Sequence, residues 1–245
     1  MNSTRPRVVV LCYHALSDSW PDETAVTPAR FAEQVEAFLR RGYLGSTFTD
    51  ALTAPAAPRT LVVTFDDAAE SVHRLAAPLL EELGLPATVF VPTDYPASGE
   101  PMSWDGLDRW VGGPHERELE CMGWDRLGDL AARGWEIGSH TRSHPLLSRL
   151  GDADLERELL GSKQDCEQHL GGHCTSLAYP YGVADARVAH AARAAGYLAA
   201  ATVPVSPTPP LPMLWPRVGA YRGDSARRLM LRARRRAFGA SAMRL

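Results

Sequence analysis

Residues 61–67 read Leu-Val-Val-Thr-Phe-Asp-Asp, an apolar run that ends on two adjacent carboxylates, Asp66 and Asp67. Pro58 precedes the run, and a helical pattern of apolar residues follows it. A short, continuous apolar run is typical of a parallel strand that is buried on both faces. We therefore expect the C-terminal end of this strand to deliver both acids to one edge of a sheet or barrel, which is where α/β folds hold their chemistry.

A second run occupies residues 135–144, Trp-Glu-Ile-Gly-Ser-His-Thr-Arg-Ser-His, and ends on two histidines, His140 and His144. The His-x3-His spacing lets two imidazoles meet one metal ion, and a carboxylate from a neighbouring strand would complete a three-ligand site with one position open to water. Each motif alone has an ordinary explanation, because Asp-Asp after a strand commonly forms a turn and a helix cap. Their occurrence together, beside a Tyr-Pro-Tyr-Gly turn at residues 179–182, favours a functional site.

Seven short apolar segments alternate with helical patterns, and each predicts a strand. They are residues 8–12, 61–65, 86–91, 135–139, 176–179, 197–202 and 214–218. Repeated strand-then-helix units predict an α/β fold, a single parallel (β/α) barrel, and seven strands rather than eight predict an incomplete or distorted one. We expect one domain over residues 1–222, followed by a basic helix or tail over residues 223–245.

The helical patterns have clear limits. Thr27 and Pro28 predict the start of the first helix, and further helices are expected over residues 70–83, 124–132, 152–170 and 184–195. On the helix at residues 152–170, charged residues that include Glu156 and Glu158 predict a face in contact with solvent. The long segment at residues 93–122 carries Trp104 and Trp110, which either form a wall of a sugar site or pack in the interior.

The motifs together resemble the polysaccharide deacetylase family, also called the NodB-homology carbohydrate esterases, over residues 7–220. In that family a Thr-Phe-Asp-Asp motif supplies the catalytic base and a metal ligand, and a His-[Ser/Thr]-x-x-His motif supplies two more ligands. The resemblance implies that Asp66 is the base and that Asp67, His140 and His144 hold one divalent metal ion. Zn²⁺ is the first expectation, with Co²⁺, Ni²⁺ and Mn²⁺ as alternatives. The resemblance also implies the distorted barrel of that family.

Two shorter motifs extend the resemblance. Residues 179–182 resemble the family's third motif, whose backbone helps to form the oxyanion hole, and this implies a catalytic role for the N–H group of Tyr181. The family's usual arginine is missing from that motif, because Ala178 precedes Tyr179. We expect Arg217, at a later strand end, to restrain Asp66 instead. Tyr13 and His14, directly after the first strand, resemble a recurrent opening of one branch of the family.

The sequence also departs from the family pattern at the general acid. The family usually supplies it from a histidine in a late Leu-x-His motif, but the last histidine here is His190, in the middle of a predicted helix. The remaining candidates are His14, His73 and Asp66 acting twice. His14 ranks first because of its position at a strand end. A third departure, Ala68 in place of the glycine that normally follows the Asp pair, is a small change.

The resemblance implies a metal-dependent hydrolase that removes an N-acetyl or similar acyl group from an amino sugar in a glycan, a glycolipid or a small-molecule glycoside. Two alternatives remain open. One is a carbohydrate-binding barrel that has lost turnover, which the missing late histidine would explain. The other is a metal-dependent amidase or deformylase that acts on a non-sugar substrate.

The composition limits the partners. The chain has 245 residues, a formal net charge of −3 and no basic cluster interleaved with aromatic residues, which argues against nucleic-acid binding. Its four cysteines are scattered and predict reduced thiols. The apolar run at residues 8–12 is shorter than the hydrophobic region of a signal peptide, and we therefore expect a cytoplasmic protein. The oligomeric state is left open.

The C-terminal segment has a charge of its own. Residues 225–245 contain seven arginines and no acidic residue. Since the whole chain has a net charge of −3 and this segment one of +7, the other 224 residues total −10. With Leu229, Met230, Ala233 and Ala237 at near-helical spacing, the segment predicts either a helix in weak contact with a membrane surface or a solvated tail.

Overall fold

The computed structural model of the chain describes residues 7–54, 57–204, 210–236 and 238–239. Its strands are β1 Arg7–Tyr13, β2 Ala15–Leu16, β3 Ala25–Val26, β4 Leu44–Ser46, β5 Arg59–Phe65, β6 Thr88–Val91, β7 Glu136–Ser139, β8 Ser176–Ala178, β9 Ala199–Thr202, β10 Trp215–Pro216, β11 Val218–Gly219 and β12 Phe238–Gly239. Its α-helices are α1 Pro28–Leu39, α2 Phe48–Thr53, α3 Ala77–Glu82, α4 Trp124–Ala132, α5 Asp152–Leu170, α6 Ala186–Ala194 and α7 Ala226–Arg236.

Eight parallel strands form a nearly closed barrel in the order β10-β9-β8-β7-β6-β5-β1-β11. The two ends of this path, β10 and β11, are separated in the chain by Arg217 alone. One extended segment therefore pairs with β9 through its first half and with β1 through its second half. The predicted distorted parallel barrel is confirmed, and the seventh predicted strand is the segment that is divided into two.

The alternation of side chains along each strand separates the interior of the barrel from the layer beneath the helices. On β1, Val8 and Val10 belong to an inner cluster with Val62 of β5 and Phe90 of β6, whereas their sequence neighbours pack outward under the helices. Phe48, from the short helix α2, belongs to the same inner cluster. The next inward positions toward the C-terminal end of β1 and β5 are Cys12, Thr64 and Asp66, so polar groups replace the apolar cluster there.

The predicted helices are largely confirmed. The side chain of Thr27 accepts a hydrogen bond from the Arg30 N–H group, and Pro28 begins α1. The limits of α4 and α5 are those predicted. The predicted helix at residues 70–83 begins instead with a π-helical turn at Val72–Ala76, which continues into α3. The segment at residues 93–122 is ordered around two 3₁₀ turns, Asp108–Trp110 and Glu116–Leu119.

The predicted helix in the C-terminal segment is present as α7, and weak contact of this segment with a membrane surface stays a prediction. Leu229, Met230 and Ala233 are buried in the main core, where α7 packs on α1. The apolar stripe that would have entered a membrane surface is therefore covered by protein, and α7 is not a solvated tail. The predicted boundary after residue 222 does not correspond to a break in packing. Ala237, Arg244 and residues 205–209 of the proline-rich connector lie outside the described residues.

No α-helix among the residues described has the length and apolarity that a membrane span requires.

We predict that α7 contributes to global stability. Leu229 is fully buried, whereas Leu231 on the same helix is 52% exposed. Leu229→Ala should lower the free energy of unfolding by about 2–5 kcal/mol because it leaves a cavity in the core. Leu231→Ala, the matched control, should change it by less than about 0.5 kcal/mol. Urea unfolding followed by circular dichroism measures both, and equal effects would mean that α7 does not belong to the core.

Candidate active site

The two sequence motifs meet at one end of the barrel. Asp66 follows β5, and its N–H group donates to the Tyr13 carbonyl at 2.9 Å. His140 follows β7, and its N–H group donates to the Val91 carbonyl at 2.8 Å. These bonds continue the strand ladders by one residue and place both residues at the C-terminal edge of the barrel.

Asp66 forms a buried ion pair with Arg217. Arg217 donates to both carboxylate oxygens, from Nη1 to Oδ1 at 2.6 Å and from Nη2 to Oδ2 at 2.7 Å. Its Nη1 also donates to the Thr64 hydroxyl at 3.0 Å. The Cys12 thiol lies 3.4 Å from Asp66 Oδ2. The structure thus brings Arg217 into the bidentate contact with Asp66 that the sequence suggested.

Arg217 also determines the charge state of Asp66. Burial, the largest single influence, would raise the pKa of the carboxyl group, but the Arg217 guanidinium, together with His140 and His14, holds that pKa below its usual range. Burial likewise opposes the charge on Arg217, but Asp66 reverses the effect and raises the pKa of the guanidinium. Asp66 is therefore ionised at neutral pH.

Asp67, His140 and His144 form a second cluster beside this pair. One ligand atom from each lies within 4.8 Å of the others. Asp67 Oδ1 is 3.4 Å from His140 Nε2 and 3.7 Å from His144 Nε2, and no hydrogen-bond donor reaches this buried oxygen within the described structure. A buried carboxylate oxygen without a donor is costly, and a cation would satisfy it. The donor set therefore fits a divalent metal ion.

The histidines differ in their surroundings. His140 Nδ1 is 2.8 Å from the Ala178 carbonyl oxygen, and because a carbonyl only accepts, we assign the ring hydrogen to Nδ1. This assignment leaves the Nε2 lone pair directed toward Asp67. Burial, followed by the proximity of His140, lowers the pKa of His144 to about 3, so that ring is neutral and able to coordinate. For His140, burial lowers the pKa, but Asp66 and then Asp67 outweigh it and raise the pKa above its usual value.

Backbone strain is concentrated at this site. The non-glycine residues with positive φ in the described part of the chain are Asp67 (69°), Ala68 (54°), Thr141 (67°), His144 (61°) and Tyr181 (60°). Four of the five belong to the three motifs, and Ala68 directly follows the first of them. Left-handed backbone at such residues costs about 1–3 kcal/mol each and is typical of functional sites. At Ala68, a glycine would adopt this conformation without the steric cost.

A cavity of about 410 Å³ opens above the two clusters. Trp104 forms one wall, where its ring stacks on that of His144 with centroids 4.0 Å apart. Tyr181, which is 43% exposed, contacts the same imidazole from the side. Trp110 instead packs against Trp20, and its indole N–H group donates to Asp22. Trp104 thus lies in the wall of a cavity, whereas Trp110 packs against other side chains.

The structure separates the candidates for the general acid. His14 lines the cavity, and its partly buried ring has an Nδ1 atom without a hydrogen-bond partner in the residues described. One of its ring nitrogens lies within 4.8 Å of Asp66. His73 is paired with Asp129 at 2.9 Å, away from the cavity, so that alternative is wrong. His190 is exposed on α6.

Glu158 is a site residue that the sequence analysis missed. It was assigned to a solvated face, but it is 7% exposed and accepts hydrogen bonds from the N–H groups of Arg142 and Ser143 and from the Ser143 hydroxyl. It therefore holds the backbone between the two histidines. The available signal was its position three residues after Leu155 and next to Leu159, on the inward stripe of α5.

The loop before α1 contributes a second missed group. Asp22 is buried and accepts hydrogen bonds from Thr24, from Arg109 at 2.6 Å and from Trp110 at 3.1 Å. Burial raises the pKa of Asp22, but these donors together lower it below its ordinary value. Arg222 holds the same loop by donating to the carbonyls of residues 17, 18, 20 and 25. These contacts fix the wall of the cavity that carries Trp104.

Comparison with known proteins gives a consistent result. A model of the polysaccharide deacetylase family matches residues 53–200. The chain is 24% identical over 196 residues to a putative polysaccharide deacetylase of Bacillus subtilis (strain 168), and the match covers 78% of this chain and 62% of that protein. The chain thus spans less than two thirds of the length of this relative. These matches confirm the resemblance that the motifs carried.

Solved structures share the fold. A polysaccharide deacetylase from Bacillus cereus superposes with a TM-score of 0.74 at 22% identity, over 94% of this chain and 69% of that one. A Streptococcus pyogenes deacetylase, solved in complex with acetate, gives a TM-score of 0.73 at 20% identity, over 93% of this chain and 98% of that one. At these identities the similarity establishes the fold.

We predict that Glu158 supports the histidine motif. Glu158→Ala removes the acceptor shared by three donor groups, of which those of Arg142 are half-buried and those of Ser143 exposed. Hydrogen bonds to a charged group contribute about 1.5–3 kcal/mol each, but water can replace part of this contact, so the free energy of unfolding should fall by about 3 kcal/mol. It should also weaken metal binding, because residues 142–144 lose their support. Glu156→Ala, on the exposed side of the same helix, is the control and should leave both properties unchanged. Urea unfolding and metal titration test this, and equal behaviour of the two variants would contradict it.

Proposed function

The chain belongs to the polysaccharide deacetylase family, and from that premise we propose that it is a metal-dependent hydrolase that removes an N-acetyl or similar acyl group from an amino sugar. The observation that carries the proposal is the meeting of two clusters at one end of the barrel. The Asp66–Arg217 pair lies beside Asp67, His140 and His144, at the base of a single cavity. The sugar would belong to a glycan, a glycolipid or a small-molecule glycoside.

Asp67, His140 and His144 would hold one divalent metal ion, for which we propose Zn²⁺. Two imidazoles and one carboxylate form a set that suits this ion and leaves a coordination position open. When bound, such an ion lowers the pKa of water and polarises a carbonyl group. The orphaned oxygen of Asp67 and the tautomer assigned to His140 support the assignment.

Asp66 would act as the general base. Its two oxygens are fixed by Arg217, so the carboxylate enters the reaction ionised and oriented. Oδ2 is the oxygen that faces the metal cluster, 4.0 Å from His140 Nε2, and it would accept the proton of the attacking water. A carboxylate with a lowered pKa is a weak base, so it can deprotonate only a water whose own pKa is lowered. A metal ion held by the adjacent Asp67 would lower the pKa of such a water.

Tyr181 would supply the oxyanion-stabilising N–H group. Its backbone is left-handed, with φ of 60°, and the next residue must be a glycine, because a Cβ atom at Gly182 would lie 2.7 Å from the backbone nitrogen of Val203. A single oxyanion donor contributes about 2.7–4 kcal/mol to transition-state stabilisation in comparable sites. The exposed rings of Tyr181 and Tyr221, with Trp104, would form the apolar walls against which a sugar ring packs.

We also propose that the protein acts in the cytoplasm. The four cysteines, Cys12, Cys121, Cys166 and Cys174, are free thiols, which is typical of a reducing compartment. Fractionation of the source cells followed by immunodetection tests the location. Recovery of the protein outside the cytoplasmic fraction would overturn it.

Variants of the two adjacent acids, Asp66 and Asp67, test the proposed activity, because we assign the first as base and the second as metal ligand. Zn²⁺-loaded protein should release acetate from an N-acetylated chitooligosaccharide, and chelation should abolish the release. Asp66→Asn should retain the metal and lose turnover, because it removes only the base. Asp67→Asn should lose both, because it removes a ligand.

Metal content is measured by elemental analysis, and acetate by a coupled assay. Equal loss of metal in the two variants would mean that both acids coordinate or that their roles are exchanged. A wild-type protein that binds the chitooligosaccharide and holds metal but releases no acetate would support the carbohydrate-binding alternative. Turnover restricted to acylated non-sugar amines would support the amidase alternative.

His14 is our candidate for the general acid. An amine leaving group is very basic, and a positioned acid contributes about 100- to 10,000-fold to its departure. His14→Ala should therefore lower turnover of an amide by at least about 100-fold, but turnover of an aryl ester, whose leaving group needs no proton, should change little. Metal content should stay the same. His73→Ala is the control, because His73 lies outside the cavity. Equal losses on both substrates, or none, would remove His14 from the mechanism.

A further inference from the structure

A groove with an apolar floor and an arginine rim runs along the outside of the barrel between α1 and α7. It consists of two adjoining cavities of about 600 and 330 Å³, which share Arg41, Met230 and Arg234. Ala37, Phe38 and Ala233 contribute to the floor. Every charged residue that lines the two cavities is an arginine: Arg40, Arg41, Arg59, Arg227 and Arg234.

The positive charge of this groove is poorly compensated. Arg40 is paired with Glu36, whereas Arg41 and Arg59 donate to backbone carbonyls, which do not neutralise them. Arg227 and Arg234 have no ion-pair partner among the described residues. No acidic residue follows Asp224 in the sequence, so α7 itself offers no carboxylate.

The exposed face of α7 differs from the stripe that the sequence suggested. Leu229, Met230 and Ala233 are buried, but Leu231 is 52% exposed and lies in the lining of the groove. Arg227, Leu231 and Arg234 are spaced four and three residues apart, which places them on one face of the helix. An exposed leucine between two uncompensated arginines, next to an apolar groove, fits a ligand that is both anionic and apolar.

We propose that this groove is a docking surface for a bilayer that contains anionic phospholipids. The arginine rim would meet the lipid phosphates, and Leu231 with the apolar floor would meet the glycerol and upper acyl region. Arginine–phosphate contacts of this kind contribute about 1 kcal/mol per residue near an anionic surface, or roughly fivefold in affinity. The proposal is independent of the activity proposed above.

Other occupants fit the charge pattern less well. A symmetric contact between two copies through this groove would place arginine against arginine, which is repulsive. A nucleic acid would use the arginines, but it has no use for an apolar floor and Leu231. An acidic protein segment is the remaining rival, and failure of the protein to bind anionic vesicles would favour it.

Binding at the groove would leave the catalytic cavity open to water. Arg59 begins β5, and Asp66 follows its other end, so a strand of seven residues separates the groove from the site. At about 3.3 Å per residue, this distance is roughly 20 Å. In a protein docked in this way, the catalytic cavity would stay accessible to a substrate in solution or on a neighbouring lipid.

Sedimentation of the full chain with vesicles tests the proposal. Vesicles of phosphatidylcholine with about a third of phosphatidylserine should bind the protein, and pure phosphatidylcholine vesicles should bind it far less, with the difference falling as salt increases. The double variant Arg227→Gln/Arg234→Gln should weaken binding by roughly 25-fold, since each arginine accounts for about fivefold. Leu231→Ala should weaken binding further when added to this variant.

The matched control is Arg149→Gln/Arg193→Gln, which removes the same charge from exposed arginines outside the groove. It should change vesicle binding by less than about threefold, because only the general field of the protein is altered. Thermal unfolding confirms that both double variants are folded. Equal losses in the two double variants, equal binding to both vesicle types, or absence of binding would overturn the proposal. Self-association through the groove, seen by sedimentation equilibrium without lipid, would also overturn it.

Discussion

The buried ion pair between Asp66 and Arg217 is the interaction on which the rest of the site depends. Both side chains are almost completely removed from water, so each charge is tolerated only because the other is present. Arg217 lies in the segment that joins β9 to β1, and Asp66 follows the central strand β5. The pair thus links the segment that closes the barrel, which carries Arg217, to the candidate active site, which contains Asp66. Breaking such a pair from one side typically costs about 3–5 kcal/mol.

This arrangement also explains how two adjacent acids acquire different roles. Asp66 and Asp67 are neighbours in sequence, but Asp67 has a left-handed backbone and its carboxylate lies beside the two histidines. Arg217 satisfies both oxygens of Asp66, whereas Asp67 retains a buried oxygen without a donor. One acid is therefore fixed by a protein cation, and the other has an unmet requirement for a positive charge. The strained backbone at Asp67 is the local conformational cost of placing the two acids in different surroundings.

The sequence predicts the parts of the molecule that depend on short-range pattern. Apolar runs that end on polar residues identified β5 and β7, capping signals located the start of α1, and the helical pattern located α5. The sequence failed where a residue depends on a distant contact. Glu158 has the charge of a surface residue, and its burial is explained only by the backbone N–H groups of Arg142 and Ser143. The stripe of α7 was visible, but its partner, α1, lies almost two hundred residues earlier. Asp22 carried no recognisable signal before Arg109 and Trp110 were placed beside it.

The closure of the barrel by residues 215–219 has a kinetic consequence. Val218 pairs with Leu11, so this contact joins positions more than two hundred residues apart. Contacts of such high sequence separation form slowly, because a long loop must be closed first. During synthesis β5 leaves the ribosome well before Arg217 exists, and a buried Asp66 without its guanidinium would be driven to take up a proton. The carboxylate therefore becomes a fixed anion when this barrel segment docks, so the charge state of Asp66 is set in the same step that closes the barrel.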